Sequence, residues 1–336
     1  MSEDLDPAEF TEAAAAAVAA CAEADVTARR SALLAETGLL GLMAPEEVGG
    51  LALPLRFAVP VLEAAGRGLL GYPLTEAILL ARALSDTAPD VAEAICSGTA
   101  LATIAWSGTI EDGVAGNAPG GTEADHVLVM RAGGGAVLLS AGQFTAEDDG
   151  GLDLELRTAT VRPSGAGGGV ELSLDTVAAL HRAEKVLRAA HITGSAERCV
   201  ELAVEYANER VQFGSPLSSF QALRHRLSRD RLAVETMRNA VHRAVRDDTG
   251  DDVAEDDLAR GAAWLGAAAA GPDVAESAIQ VFGGMGFTWE VPLHRHLRQI
   301  RTHVAHGDAG SDLVALGTRL MSGTTNDWYR ELPDAV

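Results

Sequence analysis

The sequence predicts a mainly α-helical protein with a β insert in the middle of the chain. Residues 1–97 and 176–336 carry apolar residues at helical spacing, whereas residues 98–175 contain short apolar runs between glycine and acidic residues. Hydrophobic residues make up 47% of the chain and aromatic residues only 4%, so alanine and leucine, both strong helix formers, supply much of the core. We predict an N-terminal helical domain, a middle β domain and a C-terminal helical bundle with these boundaries.

Individual elements follow from the same spacing. The second helix, for example, places Leu33, Leu34, Leu39 and Leu40 at core-like positions. In the middle segment, runs that are too short for helices and are bounded by glycine indicate strands. The predicted N-terminal helices are residues 9–24, 30–42, 57–70, 74–85 and 91–97. The predicted strands are residues 100–106, 126–130, 136–140, 154–162 and 170–172.

Long helices are predicted after the β insert. Residues 183–210 are predicted to form one unbroken helix of 28 residues, about 42 Å long at about 1.5 Å per residue. Small and apolar residues form one stripe along it, which indicates a face that packs against other helices. The stripe consists of Val186, Ala190, Thr193, Ala196, Val200, Ala203 and Ala207. The further predicted helices are residues 220–247, 256–282, 293–303 and 308–321.

The charge of the chain limits its partners. The formal net charge is −22 and the isoelectric point is about 4.7, so the surface repels nucleic acid and anionic lipid. We therefore expect no nucleic-acid partner and no membrane partner. The three cysteines lie far apart without metal-ligand spacing, and we expect no metal site. The acidic start lacks the order of a signal peptide, which predicts a cytoplasmic protein.

The first candidate functional motif follows the long helix at residues 209–217, whose sequence is ERVQFGSPL. Gly214 is suited to a left-handed turn, and Pro216 prevents the helix from continuing. An arginine in the last helical turn, Arg210, offers a planar, two-pronged donor to a pair of phosphates, and Gln212 adds an amide donor. The alternative is that Arg210 only stabilises the dipole at the helix C-terminus.

The second candidate motif lies at residues 280–290, whose sequence is QVFGGMGFTWE, between two predicted helices. Gly283, Gly284 and Gly286 allow the backbone to approach a ligand closely, with N–H groups available to anionic oxygen atoms. The alternative is an ordinary glycine-rich loop between two helices. Neither motif alone decides between its two interpretations, and the combination of the two is more specific.

Together, the two motifs resemble those of the acyl-CoA dehydrogenase family. The likeness is strongest over residues 183–307, and it extends to the order of N-terminal helices, middle β domain and C-terminal four-helix bundle. In that family, the matching residues hold the ADP part of an FAD that is bound mainly by a neighbouring subunit. The resemblance therefore implies FAD as the cofactor and a site that one chain cannot complete. The matching residues are Arg210, Gln212 and Phe213 in the first motif and Gln280, Gly283 and Gly284 in the second.

The family's reaction requires a carboxylate to take the α-proton of an acyl-CoA thioester while the β-hydride passes to the flavin. The commoner position of this base corresponds to Gly307, which has no carboxylate. The other family position, on the long helix, corresponds to Glu184, and the resemblance implies that Glu184 is the catalytic base. Two alternatives stay open: Glu184 forms an ordinary surface pair with Arg188, four residues later, or Asp308 substitutes as the base.

The middle segment departs from the family pattern. Residues 104–109 lack the acidic-Pro and Gly-Ser-Asp elements of the loop that wraps the flavin, so Trp106 either stacks near a flavin or packs in the core. This loss, together with residues 287–297, resembles the short subunit of two-gene actinobacterial acyl-CoA dehydrogenases. Those enzymes are α2β2 heterotetramers that act on CoA esters of steroid side chains.

This narrower resemblance implies specific partners. They are a second acyl-CoA dehydrogenase-like subunit, an acyl-CoA substrate and an electron-transferring flavoprotein, which together indicate a role in lipid metabolism and steroid catabolism. Because typically only one subunit of such a pair carries a working base, two functions stay open. The chain either takes part in α,β-dehydrogenation directly or is a non-catalytic partner that contributes FAD contacts and structure.

Overall fold

The computed structural model describes residue 7 and residues 9–24, 26–165, 168–246, 253–307 and 309–321. Helices precede and follow a group of strands, which confirms the prediction of a mainly α protein with a β insert. Two short 3-10 turns, Glu46–Val48 and Leu55–Phe57, lie in the connection that follows the second helix. The N-terminal helices are α1 (Glu9–Ala22), α2 (Thr27–Glu36), α3 (Ala58–Arg67), α4 (Leu74–Ala83) and α5 (Pro89–Cys96).

The sequence predicts a longer second helix than the structure contains. Helix α2 ends at Glu36 because Gly38 adopts the left-handed conformation, with a φ of 72°. The N–H of Leu39 then donates a hydrogen bond of 3.0 Å to the carbonyl of Leu34, which closes the helix end. Leu39 and Leu40 are nevertheless buried, so the apolar spacing identified core residues that lie outside the helix.

The middle segment folds into two four-stranded sheets. In the first sheet the order is β1-β4-β5-β8, and β1 pairs with β4 in parallel; in the second sheet the order is β2-β3-β7-β6 and all pairs are antiparallel. A small apolar core that includes Ala105, Val127 and Val161 belongs to this segment. The strands are β1 (Ala102–Ala105), β2 (Ser107–Thr109), β3 (Val114–Pro119), β4 (His126–Met130), β5 (Ala136–Ser140), β6 (Phe144–Asp148), β7 (Thr158–Pro163) and β8 (Val170–Leu172).

Helix α6 (Leu174–Glu209) is longer than predicted and is the central element of the molecule. It has 36 residues, because it begins directly after Ser173, whose side chain accepts a hydrogen bond of 3.2 Å from the backbone N–H of Thr176. All seven residues of the predicted stripe are buried, so the packing face was predicted correctly. At about 1.5 Å per residue the helix is about 54 Å long and runs along the C-terminal bundle.

The remaining helices pack around α6. Helix α3 approaches it so closely that a Cβ atom at Gly194 would lie 1.9 Å from the backbone oxygen of Glu63, and one at Gly66 would lie 2.0 Å from that of His191. Glycine is therefore required on both sides of this crossing. In the described part of the chain, no helix has the length and apolarity that a membrane span requires. The further helices are α7 (Gln221–Ala244), α8 (Val253–Phe282), α9 (Leu293–His306) and α10 (Ala309–Met321).

Candidate functional site

The first motif forms a tight hairpin at the end of α6. The prediction that Arg210 belongs to the last helical turn is wrong: α6 ends one residue earlier, and Arg210 has an extended backbone with a ψ of 118°. Val211–Gln212 and Ser215–Pro216 pair as two short antiparallel strands, β9 and β10. Phe213 and Gly214 form the turn with φ values of 52° and 79°, so Gly214 has the predicted left-handed conformation.

The side chains of this hairpin point away from the rest of the chain. Phe213 is 94% exposed, and Arg210 and Gln212 are exposed as well. Within the described residues, no hydrogen bond or ion pair holds the guanidinium of Arg210. The ring of Phe213 lies edge-on to that of Phe220, with ring centroids 6.2 Å apart. An aromatic ring and a cation presented in this way are suited to a contact outside the chain.

The second motif continues α8 as a 3-10 helix, Gly283–Phe287. Gly283 has a φ of 63°, and Cβ atoms added at Gly283 or Gly284 would meet no described atom within 4 Å. The third glycine differs, because a Cβ atom at Gly286 would lie 2.8 Å from the backbone oxygen of Ile279. Gly283 and Gly284 therefore leave their backbone open to a ligand, whereas Gly286 is required for packing within the chain.

The fold places the two motifs side by side at one end of the bundle. Tyr206, in the last turn of α6, stacks on Phe282, the last residue of α8, with ring centroids 4.1 Å apart and planes 15° from parallel. Arg210 and Gly283 follow directly after these two helix ends. Gln280 is exposed one turn before Gly283. Tyr206 is not among the site residues predicted from the sequence, although an aromatic residue four positions before Arg210 was the available signal.

Glu184 is buried in the N-terminal half of α6. Its side chain is 7% exposed and forms an ion pair with the side chain of Arg188, which is 1% exposed. The predicted pairing with Arg188 is thus present, but the pair is buried and is not on a surface face. Burial raises the pKa of Glu184, and the charge of Arg188 opposes this effect. Gly307 has no side chain to serve as a base, and Asp308 lies outside the described residues.

Arg188 connects Glu184 to the middle segment. Its guanidinium carbon lies 4.7 Å from the ring centroid of Trp106, a cation–π contact. The indole Nε1 of Trp106 donates a hydrogen bond of 2.8 Å to Glu76 on α4, and burial raises the pKa of Glu76. His181 contacts the same indole with ring centroids 5.7 Å apart. Trp106 is therefore half-buried against the core and joins Glu76, Glu184 and Arg188 in a buried polar cluster.

Two spaces flank this part of α6. A cavity of about 20 Å³, lined in part by Glu76, His191 and His303, holds about one water molecule and is too small for an acyl chain. An open pocket of about 230 Å³ lies between α6, α8 and α10. Lys185, the residue after Glu184, lines this pocket and forms an ion pair of 2.6 Å with Asp312. The other lining residues are His181, Arg182, Asp257, Arg260, Gly261, Ala315, Leu316 and Arg319.

A buried histidine beside α6 gives the protein a predictable pH dependence. The Nδ1 atom of His296 on α9 lies 2.9 Å from the hydroxyl of Ser195, and burial lowers the pKa of His296 to about 3. Unfolded histidine titrates near about 6.5, so the unfolded state binds more protons below that pH and stability falls as pH drops. The destabilisation caused by His296→Asn should therefore shrink by about 1.4 kcal/mol for each pH unit below about 6.5.

Urea unfolding of the parent and the variant at pH 7.5 and pH 5 measures this effect. Ser195→Ala is the matched control, because it removes the same hydrogen bond but keeps the imidazole. That control should retain the pH dependence of the parent. A stability difference between the parent and His296→Asn that is equal at both pH values would contradict the prediction.

Comparison with known proteins agrees with this architecture. Residues 176–314 match the sequence profile of the acyl-CoA dehydrogenase C-terminal domain. Acyl-CoA dehydrogenase IpdE2 of Mycolicibacterium smegmatis is 30% identical to this chain over 278 residues, which cover 82% of this chain and 81% of that protein. The chain therefore belongs to the acyl-CoA dehydrogenase family, as the two motifs predicted. Its relatives support an oxidoreductase that acts on acyl-CoA.

Solved structures show the same fold. The ChsE4–ChsE5 complex from Mycobacterium tuberculosis matches with a TM-score of 0.84 and 25% identity, and the match covers 94% of this chain and 97% of that chain. A steroid ACAD, Tcur3481–Tcur3483, matches with a TM-score of 0.84 and 23% identity, covering 95% of this chain and 98% of that chain. The match thus extends over nearly the full length of each of these chains.

Proposed function

We propose that this chain is one subunit of an FAD-dependent acyl-CoA dehydrogenase that it forms with a second, related subunit in an α2β2 complex. In this complex, the hairpin at residues 210–213 and the segment at residues 280–284 hold the ADP part of an FAD bound mainly by the partner. FAD, when bound, accepts the β-hydride of the acyl-CoA thioester. One observation supports the proposal above all others: these two segments lie side by side, exposed, at one end of the bundle.

The residues of this end fit a dinucleotide. The guanidinium of Arg210 forms charge-assisted hydrogen bonds with phosphate oxygens, and its exposure leaves its donors accessible. The segment at Gly283 and Gly284 leaves space for a ligand to approach the backbone closely, with no described atom within 4 Å of a Cβ position at either residue. Both segments face away from the chain, which is what a shared site between two subunits requires.

The partner and the cofactor are tested by purification. The full-length chain, tagged and expressed in its native host, should co-purify with a second acyl-CoA dehydrogenase-like chain in a yellow complex with flavin absorbance. Mass measurement should give two copies of each subunit. A colourless assembly, or a yellow one that contains only this chain, would refute the proposal.

The substrate and the electron acceptor belong to the same proposal. We assign acyl-CoA thioesters as the substrate class, with CoA esters of steroid side chains as the first to test, because a steroid ACAD shares this fold. An electron-transferring flavoprotein would be the electron acceptor of the complex. Turnover of the purified complex with a series of acyl-CoA esters and this acceptor distinguishes the substrates.

Glu184 is the base that this proposal assigns to the chain. Burial raises its pKa, which moves a carboxyl group towards the range that a general base needs, and position 307 carries no carboxylate. Lys185 and Asp312, which line the open pocket, also act electrostatically on Glu184.

Replacement of Glu184 by glutamine keeps the shape of the side chain and removes the base. In the complex with its partner, Glu184→Gln should lower turnover by about 100-fold or more while flavin content stays unchanged. Glu63→Gln is the matched control, because Glu63 is also a carboxylate beside an arginine, 3.6 Å from Arg238, but lies on α3 away from the pocket. Pre-steady-state flavin reduction measures the step directly.

The second candidate function is a non-catalytic partner whose complex uses a base from the other subunit. The buried ion pair between Glu184 and Arg188 favours it, because a carboxylate that neutralises an arginine is a weaker base. The small cavity beside the cluster favours it too, since it leaves no room for an acyl chain there. Turnover retained in the Glu184→Gln complex would establish this second function.

A further inference from the structure

The backbone conformation at position 307 does not require a glycine. Gly307 follows α9 with a φ of −93° and a ψ of 136°, an extended conformation that any residue adopts without strain. Its backbone makes ordinary hydrogen bonds, donating to the carbonyl of His303 at 3.4 Å and accepting from Ala309 at 3.0 Å. The reason for glycine has to lie in the surroundings of the missing side chain.

Those surroundings are the indole of Trp264. A Cβ atom at Gly307 would lie 2.3 Å from Cζ2, 2.9 Å from Cη2 and 3.1 Å from Cε2 of that ring. Trp264 lies on α8 and is 1% exposed, so packed atoms surround it. A contact of 2.3 Å between carbon atoms is far inside their van der Waals separation, and a buried ring has no free space into which it can move.

We propose that the ring of Trp264 occupies the space that a side chain at position 307 would need. Position 307 therefore cannot place a carboxylate in the interior of this chain. The direction of a Cβ atom is fixed by the backbone, and here it points into the six-membered part of the indole. The proposal rests on the proposed function for its consequence: a base supplied by this chain comes from α6 and not from position 307.

The steric claim is tested by a double-mutant cycle on the full-length chain, read by thermal unfolding. Gly307→Ala should lower the Tm of the parent by on the order of 5 °C, because one methyl group forces the ring or the backbone to shift. In a Trp264→Leu background, which removes the ring, the same change should cost less than a third of that. Gly266→Ala is the control, because Gly266 is exposed on α8 and no described atom outside the adjoining helix backbone lies within 4 Å of the added Cβ; it should leave the Tm unchanged or higher.

Trp264→Phe provides a second background if Trp264→Leu does not fold, since it keeps a smaller ring and should reduce the cost of Gly307→Ala in part. A Gly307→Ala variant as stable as the parent, or an equal cost in all backgrounds, would overturn the proposal. The cycle needs neither flavin nor partner. A failure of the steric claim is therefore separate from a failure of the proposed function, which the flavin content of the complex tests.

Discussion

Gly284→Val should remove most of the FAD from the two-subunit complex without unfolding this chain. The substitution is harmless within the chain, because a Cβ atom at Gly284 meets no described atom within 4 Å and Gly284 is not among the residues with positive φ. In the complex, the added isopropyl group occupies the backbone surface that we propose contacts the dinucleotide. Loss of this close approach should weaken FAD binding by at least about 100-fold, which corresponds to about 2.7 kcal/mol.

Arg210→Gln tests the other segment in the same assay. It removes the guanidinium but keeps a polar side chain at an exposed position, so chain stability should stay within about 0.5 kcal/mol of the parent. A hydrogen-bonded charge contributes about 1.5–3 kcal/mol, which predicts FAD binding weaker by about 10- to 150-fold. The combination of Arg210→Gln with Gly284→Val should give a complex without flavin colour.

The measurement is the ratio of flavin to protein after dialysis, followed by titration of the apo-complex with FAD. Gly266→Val is the matched control, because it adds the same isopropyl group at an exposed position of α8, where no described atom outside the adjoining helix backbone lies within 4 Å of the added Cβ. That control should bind FAD as the parent does. Parent-like flavin content in both Gly284→Val and Arg210→Gln would refute the assigned role of this end of the bundle.

The position of the two motifs in space could not be predicted from the spacing of residues. The sequence identified each motif from local features, namely the glycines and the arginine after a helix, because turn conformation depends on a few neighbouring residues. That the two motifs lie side by side depends on the stacking of Tyr206 on Phe282, which are 76 positions apart (282 − 206 = 76). The family resemblance supplied this link, whereas composition and periodicity did not.

In the middle segment, too, the sequence pattern predicted only part of the structure. The predicted runs at β4 and β5 match the strands, because each is mainly apolar and buried in the first sheet. The predicted run at β8 also matches, although its central residue, Glu171, is exposed. Strands β2, β3 and β6 were not predicted, since they contain glycine, asparagine or acidic residues and pair in the more exposed second sheet. The predicted strand at residues 154–162 is wrong in extent, because only Thr158–Pro163 pairs with its neighbours.

The burial of the polar cluster around Glu184 and Arg188 could not be predicted from the sequence. The i, i+4 spacing of Glu184 and Arg188 predicted an ion pair correctly, but the same spacing occurs on solvated helix faces. Burial of this pair depends on α4 and on Trp106, which come from two other segments of the chain. The spacing of residues within one helix does not predict such long-range contacts.

Arg188→Met should be among the most destabilising single substitutions in this chain. The guanidinium is 1% exposed and lies next to two buried carboxyl groups, those of Glu184 and Glu76, and its charge lowers the pKa of both against the effect of burial. Methionine fills similar volume but removes the positive charge that lowers the pKa of both carboxyl groups. Removal of one partner from a buried pair costs about 3–5 kcal/mol, a large part of the about 5–15 kcal/mol that folded domains have in total.

The matched control is Arg67→Met on α3. Arg67 also pairs with two carboxylates, those of Glu197 at 3.4 Å and Glu201 at 2.5 Å, but its side chain is 41% exposed. Water replaces the lost partner there, so the cost should stay within about 1 kcal/mol. Urea unfolding of both variants at pH 7.5, with the same purification, gives the comparison directly.

A double variant separates the loss of charge balance from the loss of packing. In Arg188→Met combined with Glu184→Leu, the buried ion pair becomes an apolar contact, and only Glu76 remains, with its hydrogen bond to Trp106. Apolar replacement of a whole buried pair is often neutral or stabilising, so the double variant should regain at least half of the stability that Arg188→Met loses. If it is as unstable as Arg188→Met alone, packing of the guanidinium against Trp106 dominates, and charge balance is not what makes Arg188 essential to the fold.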